Sequence, residues 1–274
     1  MNQKDVLTMN DLKKRFGPAA LITGASDGIG RALAEALAAQ GFDLILVARR
    51  ESVLHSLSQE LMGKHAIKVE VIAADLSDPR ATAMVLQRTR DMPVGLLVAA
   101  AGFGSIGPFV ALDVAEEANM VDLNCRAVVE LTHGLAQRLI DRGGGGIILF
   151  GSLFGFQGVP GSATYAATKG FVQSFAEALA IELRPQGISV LSVAPGPVGT
   201  GFAARARMHM SKTDSPQAVA RASLAALPGG GTHRPGVLSK LLGWSLAILP
   251  RWARVRLLGL IAGGMRAREP ATKA

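Results

Sequence analysis

The passage from Ala19 to Gly41 restricts this chain more than any other. Four apolar residues, Ala19–Ile22, run directly into Thr23-Gly24-Ala25-Ser26-Asp27-Gly28-Ile29-Gly30, and a helical pattern over Ile29–Gln40 follows. A short unbroken apolar run bounded by turn residues reads as a strand buried on both faces, as in a parallel sheet. Strand, glycine turn and helix in that order let the backbone approach a pyrophosphate. The helix N-terminus adds free N–H groups and a partial positive charge. Gly24, Ser26, Gly28, Ile29 and Gly30 are therefore expected to cradle a phosphate, and Gly41 to end the helix as its C′ glycine.

The same rhythm continues. Strands are expected at Leu44–Ala48, Val69–Ala73, Leu96–Ala99, Gly146–Phe150 and Ser189–Val193, with amphipathic helices between them. Asp113 with Glu116 three residues on has the spacing of a capping box, and Gly143–Gly146 read as a turn between helix and strand. This predicts an α/β chain: a Rossmann-like, doubly wound parallel sheet in a single domain over residues 1–233. A last strand is expected near Thr232–Pro235. Residues 234–274, Leu/Trp-rich and basic, read as a C-terminal helical appendage. With 49% hydrophobic and 18% charged residues, disorder is excluded.

The net charge of +8 is concentrated in the tail. Residues 234–274 carry eight Lys/Arg against one acidic residue, and the remainder is nearly balanced. A neutral body without basic stripes or interleaved aromatics argues against nucleic acid as a partner. One cysteine, Cys125, cannot form an internal disulfide. No Asn-x-Ser/Thr site occurs, so a reducing cytoplasm is expected. Met1–Arg15 is too polar for a secretory signal, and Leu241–Pro250 and Leu257–Met265 fall short of the roughly 18 apolar residues that span a bilayer.

Two further constellations carry chemistry. In nicotinamide-binding proteins of this architecture a carboxylate at the end of the second strand binds the ribose hydroxyls; here that end is Val47-Ala48-Arg49-Arg50. Guanidiniums match a phosphate bidentately, so Arg49 points to NADP(H) rather than NAD(H), unless both arginines merely face solvent. Next, Gly151-Ser152 ends the fifth strand, and Tyr165-Ala166-Ala167-Thr168-Lys169 opens a helix with Tyr and Lys on one face. A phenol with pKa near 10 must fall by roughly three units, about 4 kcal/mol, to exchange protons at neutral pH. An ammonium about 4 Å away contributes on that order. Tyr165 is the only tyrosine of the chain.

Thr-Gly-x-x-x-Gly-x-Gly together with Tyr-x-x-x-Lys resembles the short-chain dehydrogenase/reductase family over roughly residues 17–200. The resemblance implies Tyr165 as acid/base, Ser152 bonding the substrate oxygen, and Lys169 holding the nicotinamide ribose and lowering the tyrosine pKa. It also implies Asn124 completing a proton relay. By the same resemblance Asp75 and Leu76 contact adenine, Gly102 follows the fourth strand, and Pro195, Gly196, Val198 and Thr200 form the loop over the nicotinamide. It further implies a homodimer or homotetramer through the helices carrying Asn124 and Tyr165. One departure stands out: the family's Asn-Asn-Ala-Gly is Ala99-Ala100-Ala101-Gly102 here, which puts the rigidity of that segment in question.

The other candidates are bland. Five histidines lack metal-site spacing, so no metal is expected; Cys125 reads as core, and no Gly-x-Ser-x-Gly elbow surrounds Ser152. Phe103, Phe109, Phe154, Phe156, Phe202, Met208 and Met210 are expected to line an apolar substrate pocket. The substrate is then a hydrophobic carbonyl or alcohol: a lipid, a steroid or a long acyl chain. The tail, with Trp244, Arg251, Trp252, Arg254 and Arg256 before Leu257–Ile261, shows no clean amphipathic stripe. It reads as a lid over the pocket, a packed subunit interface, or a peripheral membrane contact. The expected function is an NADP(H)-dependent oxidoreductase. The alternatives are an NADPH-binding sensor and a membrane-surface scaffold without turnover.

Overall fold

Every apolar run becomes a strand within two residues of its expected position: β1 (Ala19–Thr23), β2 (Asp43–Ala48), β3 (Val69–Ala73), β4 (Val94–Ala99), β5 (Gly145–Phe150), β6 (Ile188–Val193) and β7 (Gly231–His233). The computed structural model describes residues 9–206, 213–236, 239 and 249–265; Met208, Met210, His209 and Trp244 lie outside these. The strands form one parallel sheet in the order β3-β2-β1-β4-β5-β6-β7. Helices α1 (Met9–Phe16), α2 (Gly28–Ala38), α3 (Glu51–Lys64), α4 (Pro79–Arg88), α5 (Val114–Val121), α6 (Ala127–Asp141) and α7 (Ala163–Glu182) alternate with the first six strands. Then come α8 (Gly201–Arg205), α9 (Pro216–Ala226) and, in the appendage, α10 (Arg251–Met265).

Alternation along the strands builds two cores. Ile22, Leu46, Val98, Ile148 and Leu191 pack with α2, α3 and α9 on one face, while Leu21, Ile45, Leu97, Ile147 and Val190 pack with α4, α6 and α7 on the other. Each such side chain, sealed from solvent on burial, contributes about 1.5–3 kcal/mol. The helix ends follow the expected chemistry. Gly41 takes φ +77°, its N–H donating to the Ala38 carbonyl while that of Phe42 donates to Leu37, a Schellman closure. Asp113 caps α5, accepting from the N–H groups of Ala115 and Glu116.

Strand order reverses between β1 and β4, so the loops leaving their carboxyl ends diverge to opposite faces and open a crevice. Register aligns Thr23 with both Val47 and Ala99, which brings those loops to one level. Between α5 and α6 the helix loosens into a π turn, Asp122–Arg126, which carries Asn124 toward the crevice. Among the described residues no helix is long and apolar enough to cross a membrane.

Candidate active site

The glycine turn is shaped by what it excludes. Gly24 and Gly28 adopt φ of +68° and +54°, and a Cβ on Gly30 would fall 2.3 Å from the Gly24 carbonyl oxygen. Asp27 seals the rim: one carboxylate oxygen accepts the Gly28 N–H at 2.7 Å and the other the Gly201 N–H at 3.1 Å. Every catalytic and coenzyme-binding residue expected from the sequence, save Asn124, lines one cavity of about 640 Å³ that starts here.

One end of this cavity is polar and open. The Arg50 guanidinium donates to the Ser26 hydroxyl and carbonyl, bracing the turn, while Arg49 stands 3.7 Å from Asp75, both about half exposed. Burial works against ionisation of Asp75. The Ser77 hydroxyl and N–H bonds, with Arg49 and Arg205 nearby, outweigh it and hold the carboxyl below its ordinary pKa.

The other end is closed. Tyr165 is buried on α7, its ring 5.4 Å from that of Phe202 and 6.4 Å from that of Phe154. Burial pushes its phenol up to about 12, with the contact to Ser152 working in the opposite direction. Lys169, one turn on, donates to the Phe150 carbonyl at 2.8 Å, and burial pushes its ammonium down to about 8. In the chain without coenzyme, the expected lowering of the tyrosine pKa by Lys169 is not what sets these two values. The ammonium stands 5.7 Å from the phenol ring centroid and is bonded elsewhere, so desolvation decides both groups. Cys125, expected in the core, is only partly buried; that burial still pushes its thiol up to about 11, which disfavours the thiolate.

Asn124 sits behind the cavity wall. Its Oδ1 accepts the Phe103 N–H at 3.2 Å, and its Nδ2 donates to the Phe103 carbonyl at 2.9 Å and to the Thr168 hydroxyl at 3.0 Å. It therefore pins the segment after β4 to α7. On the other side the Ala101 N–H donates to the Thr23 hydroxyl at 3.0 Å. These bonds answer the question raised by Ala99-Ala100: the segment is tied from both flanks without the two family amides.

Three expected pocket residues, Phe103, Phe109 and Phe156, do not line the cavity. Phe109 is 62% exposed on a three-residue helical turn, and Phe156 lies under the Arg234 guanidinium at 4.3 Å. Phe103 is buried behind the cavity, in one cluster with Met120 and Tyr165. In their place the appendage supplies Leu258, Ile261 and Met265, and α8 supplies Arg205. The spacing of Leu258, Ile261 and Met265 was a readable signal, masked because Trp252, Leu257 and Leu260 are apolar on the opposite, exposed side of α10. Arg205 had no sequence signal; only the fold brings it to the crevice. Ser239 joins the appendage to the loop after β6, accepting the Gly196 N–H at 2.9 Å.

The family model for short chain dehydrogenases matches residues 18–211. The chain belongs to the short-chain dehydrogenase family. Among curated relatives, a very-long-chain 3-oxoacyl-CoA reductase of Phaeosphaeria nodorum is 33% identical over 253 residues, 89% of this chain and 74% of the relative. Among solved structures, a short-chain dehydrogenase of Sphingobium yanoikuyae in complex with NADPH is 31% identical with TM-score 0.78, over 94% of this chain and all of the other. A bulky-bulky ketone specific alcohol dehydrogenase of Comamonas testosteroni is 30% identical with TM-score 0.73, over 94% and 97% of the two chains. All three align across nearly the whole of this short-chain dehydrogenase, including β7 and the start of the appendage.

Proposed function

We propose that this chain is an NADP(H)-dependent oxidoreductase that interconverts a hydrophobic carbonyl and its alcohol. The observation that carries the reading is the continuous cavity with a side-chain-free glycine turn and Arg49 at one end and Tyr165, Ser152 and Lys169 at the other. The NADPH complex of the Sphingobium yanoikuyae relative supports it. The residues present fit the dinucleotide. Gly24, Gly28 and Gly30 would leave room for its diphosphate at the N-terminus of α2, Asp75 and Leu76 would hold the adenine, and Arg49 would take the 2′-phosphate. When bound, the coenzyme supplies a hydride in reduction.

The chain's own groups do the rest. The phenol of Tyr165 holds its proton in the chain without coenzyme and faces Ser152, so it is the group placed to give a proton to the carbonyl oxygen once bound ligands lower its pKa. Ser152 holds that oxygen, Lys169 holds the ribose, and Asn124 fixes the wall on which both rest. The aromatic cluster of Phe103, Phe154 and Phe202, with Leu258 and Ile261 from α10, excludes water and favours an acyl- or steroid-like substrate. The 3-oxoacyl-CoA and bulky-ketone relatives agree with that class. Pairing of subunits through α5, α6 and α7 would cover Val121, Phe171 and Ile181, which are exposed in the single chain. The outward side of α10, with Trp252, Arg256 and Leu260 in solvent, suits contact with an anionic membrane surface.

The test is NADPH oxidation by the purified protein over a panel of short and long hydrophobic ketones and 3-oxoacyl thioesters. Turnover with long members and none with NADH in place of NADPH is expected. Tight NADPH binding with no turnover of any carbonyl, or of the matching alcohols with NADP⁺, would favour a sensor instead.

A further inference from the structure

Helix α8 runs between the two ends of the cleft. Its start is fixed to the glycine turn by the Gly201 bond to Asp27 and by Thr200, whose Cγ2 would lie 2.8 Å from a Cβ on Gly28. Phe202, on its first turn, meets Tyr165 at 5.4 Å between ring centroids. At its far end the Arg205 guanidinium carbon stands 4.1 Å above the Phe103 ring. Five residues thus run from the phosphate turn, over the reacting tyrosine, to the opposite wall.

Arg205 lines the cavity and has neither a hydrogen bond nor an ion pair among the described residues. The Phe103 ring meets one face of the guanidinium and solvent reaches the rest, so its N–H groups stay available to a ligand. Burial and then the like charge of Arg49 weaken its protonation, with Glu116 and Asp75 acting in the other direction from beyond ion-pair distance. Asp75 is already engaged, accepting from the Ser77 hydroxyl at 2.8 Å and the Ser77 N–H at 3.1 Å, and facing Arg49. Two guanidiniums that face one cleft, with the nearby carboxylate spoken for, form a site for an added anion.

We propose that Arg205 holds a phosphate of the bound dinucleotide, from the wall opposite the glycine turn. Because α8 also carries Phe202, that contact sets the wall of the substrate pocket at Tyr165. The inference rests on the dinucleotide reading above and adds to it a residue on the substrate side of the cleft. The phosphate can be the 2′-phosphate, shared with Arg49, or one of the 5′ phosphates over the glycine turn; the chemistry is the same and the ligands below separate them.

The experiment measures binding of 2′,5′-ADP and of 5′-ADP by calorimetry, with no substrate and no turnover, for the native chain, Arg205→Leu and Arg205→Lys. Leucine keeps an apolar cover on Phe103. Loss of one charge-assisted contact should weaken binding about tenfold, with lysine restoring part of it. A loss confined to 2′,5′-ADP assigns the 2′-phosphate, and a loss with 5′-ADP assigns the 5′ side. Hydrogen exchange at residues 202–206 should slow on ligand binding in the native chain and not in Arg205→Leu. If the native chain binds both ligands and Arg205→Leu binds them equally well, the proposal is overturned while the coenzyme reading stands. If the native chain binds neither, the coenzyme reading falls with it.

Discussion

The two ends of the cleft use the same kinds of groups in opposite ways. At the open end, Arg49 and Asp75 face each other at 3.7 Å, about half exposed, and water screens most of what they do. At the closed end, Tyr165 and Lys169 are buried, and their pKa values move in opposite directions, to about 12 and about 8. Charge in solvent recognises a ligand by complementarity at small cost to the fold. Charge out of solvent changes what a group can do, and the fold must hold it there.

The sharpest break between the ends is expected from Lys169→Met. It should lower kcat/KM by roughly 10²–10⁴-fold, as removal of a group that serves general acid–base chemistry does, while raising the melting temperature of the coenzyme-free protein. The sign of the second effect follows from the pKa. Lys169 holds its proton less tightly folded than unfolded, so between about 8 and its ordinary 10.5 the folded chain carries fewer protons and stability rises with pH. Above 10 the raised Tyr165 works the other way. Unchanged melting in Lys169→Met would show that its burial carries no strain.

The pH profile sharpens the same point. The alkaline limb of kcat/KM for reduction should fall near pH 8, as Lys169 loses its proton, and not near 10, because the Tyr165 phenol stays protonated far beyond that. Lys169→Arg should move the limb upward; a limb that remains near 8 in this variant would assign it to another group.

A third comparison is one of stability alone. Asn124→Ala strands the Phe103 N–H and carbonyl in the interior and should destabilise the protein by about 2–4 kcal/mol. Asp75→Asn, which breaks an exposed pair, should cost less than about 1 kcal/mol. Equal losses in urea denaturation would remove the distinction between the ends. At the open end itself, Arg49→Asp should lower the NADPH/NADH affinity ratio by about ten- to a hundredfold with little change in melting. An unchanged ratio would sink the reading of Arg49. The smallest effect is expected on the outer face of α10, where Trp252→Ser should reduce co-sedimentation with anionic liposomes several-fold and leave turnover alone.

Much of the frame was legible before the structure because it rests on local rules. Buried parallel strands show as apolar runs, and Gly24, Gly28 and Gly41 show as backbone positions that few other residues can occupy. Tyr165 and Lys169 share a helix face by spacing alone. What stayed hidden depends on long-range packing. The pKa direction at Tyr165 needs its burial, which no spacing reveals. Phe109 and Phe156 were misplaced because an aromatic in a loop does not say which way the loop turns. Arg205 and the wall formed by Leu258, Ile261 and Met265 become part of the cleft only after α8 and α10 have folded across it.

The most direct test of the division between the ends is Tyr165→Phe, measured for both NADPH binding and carbonyl turnover. The account predicts NADPH affinity within about twofold of the native chain, because the one atom removed lies at the catalytic end, and turnover lower by about a thousandfold or more. Turnover that persists, or NADPH affinity lost in step with it, would contradict the account.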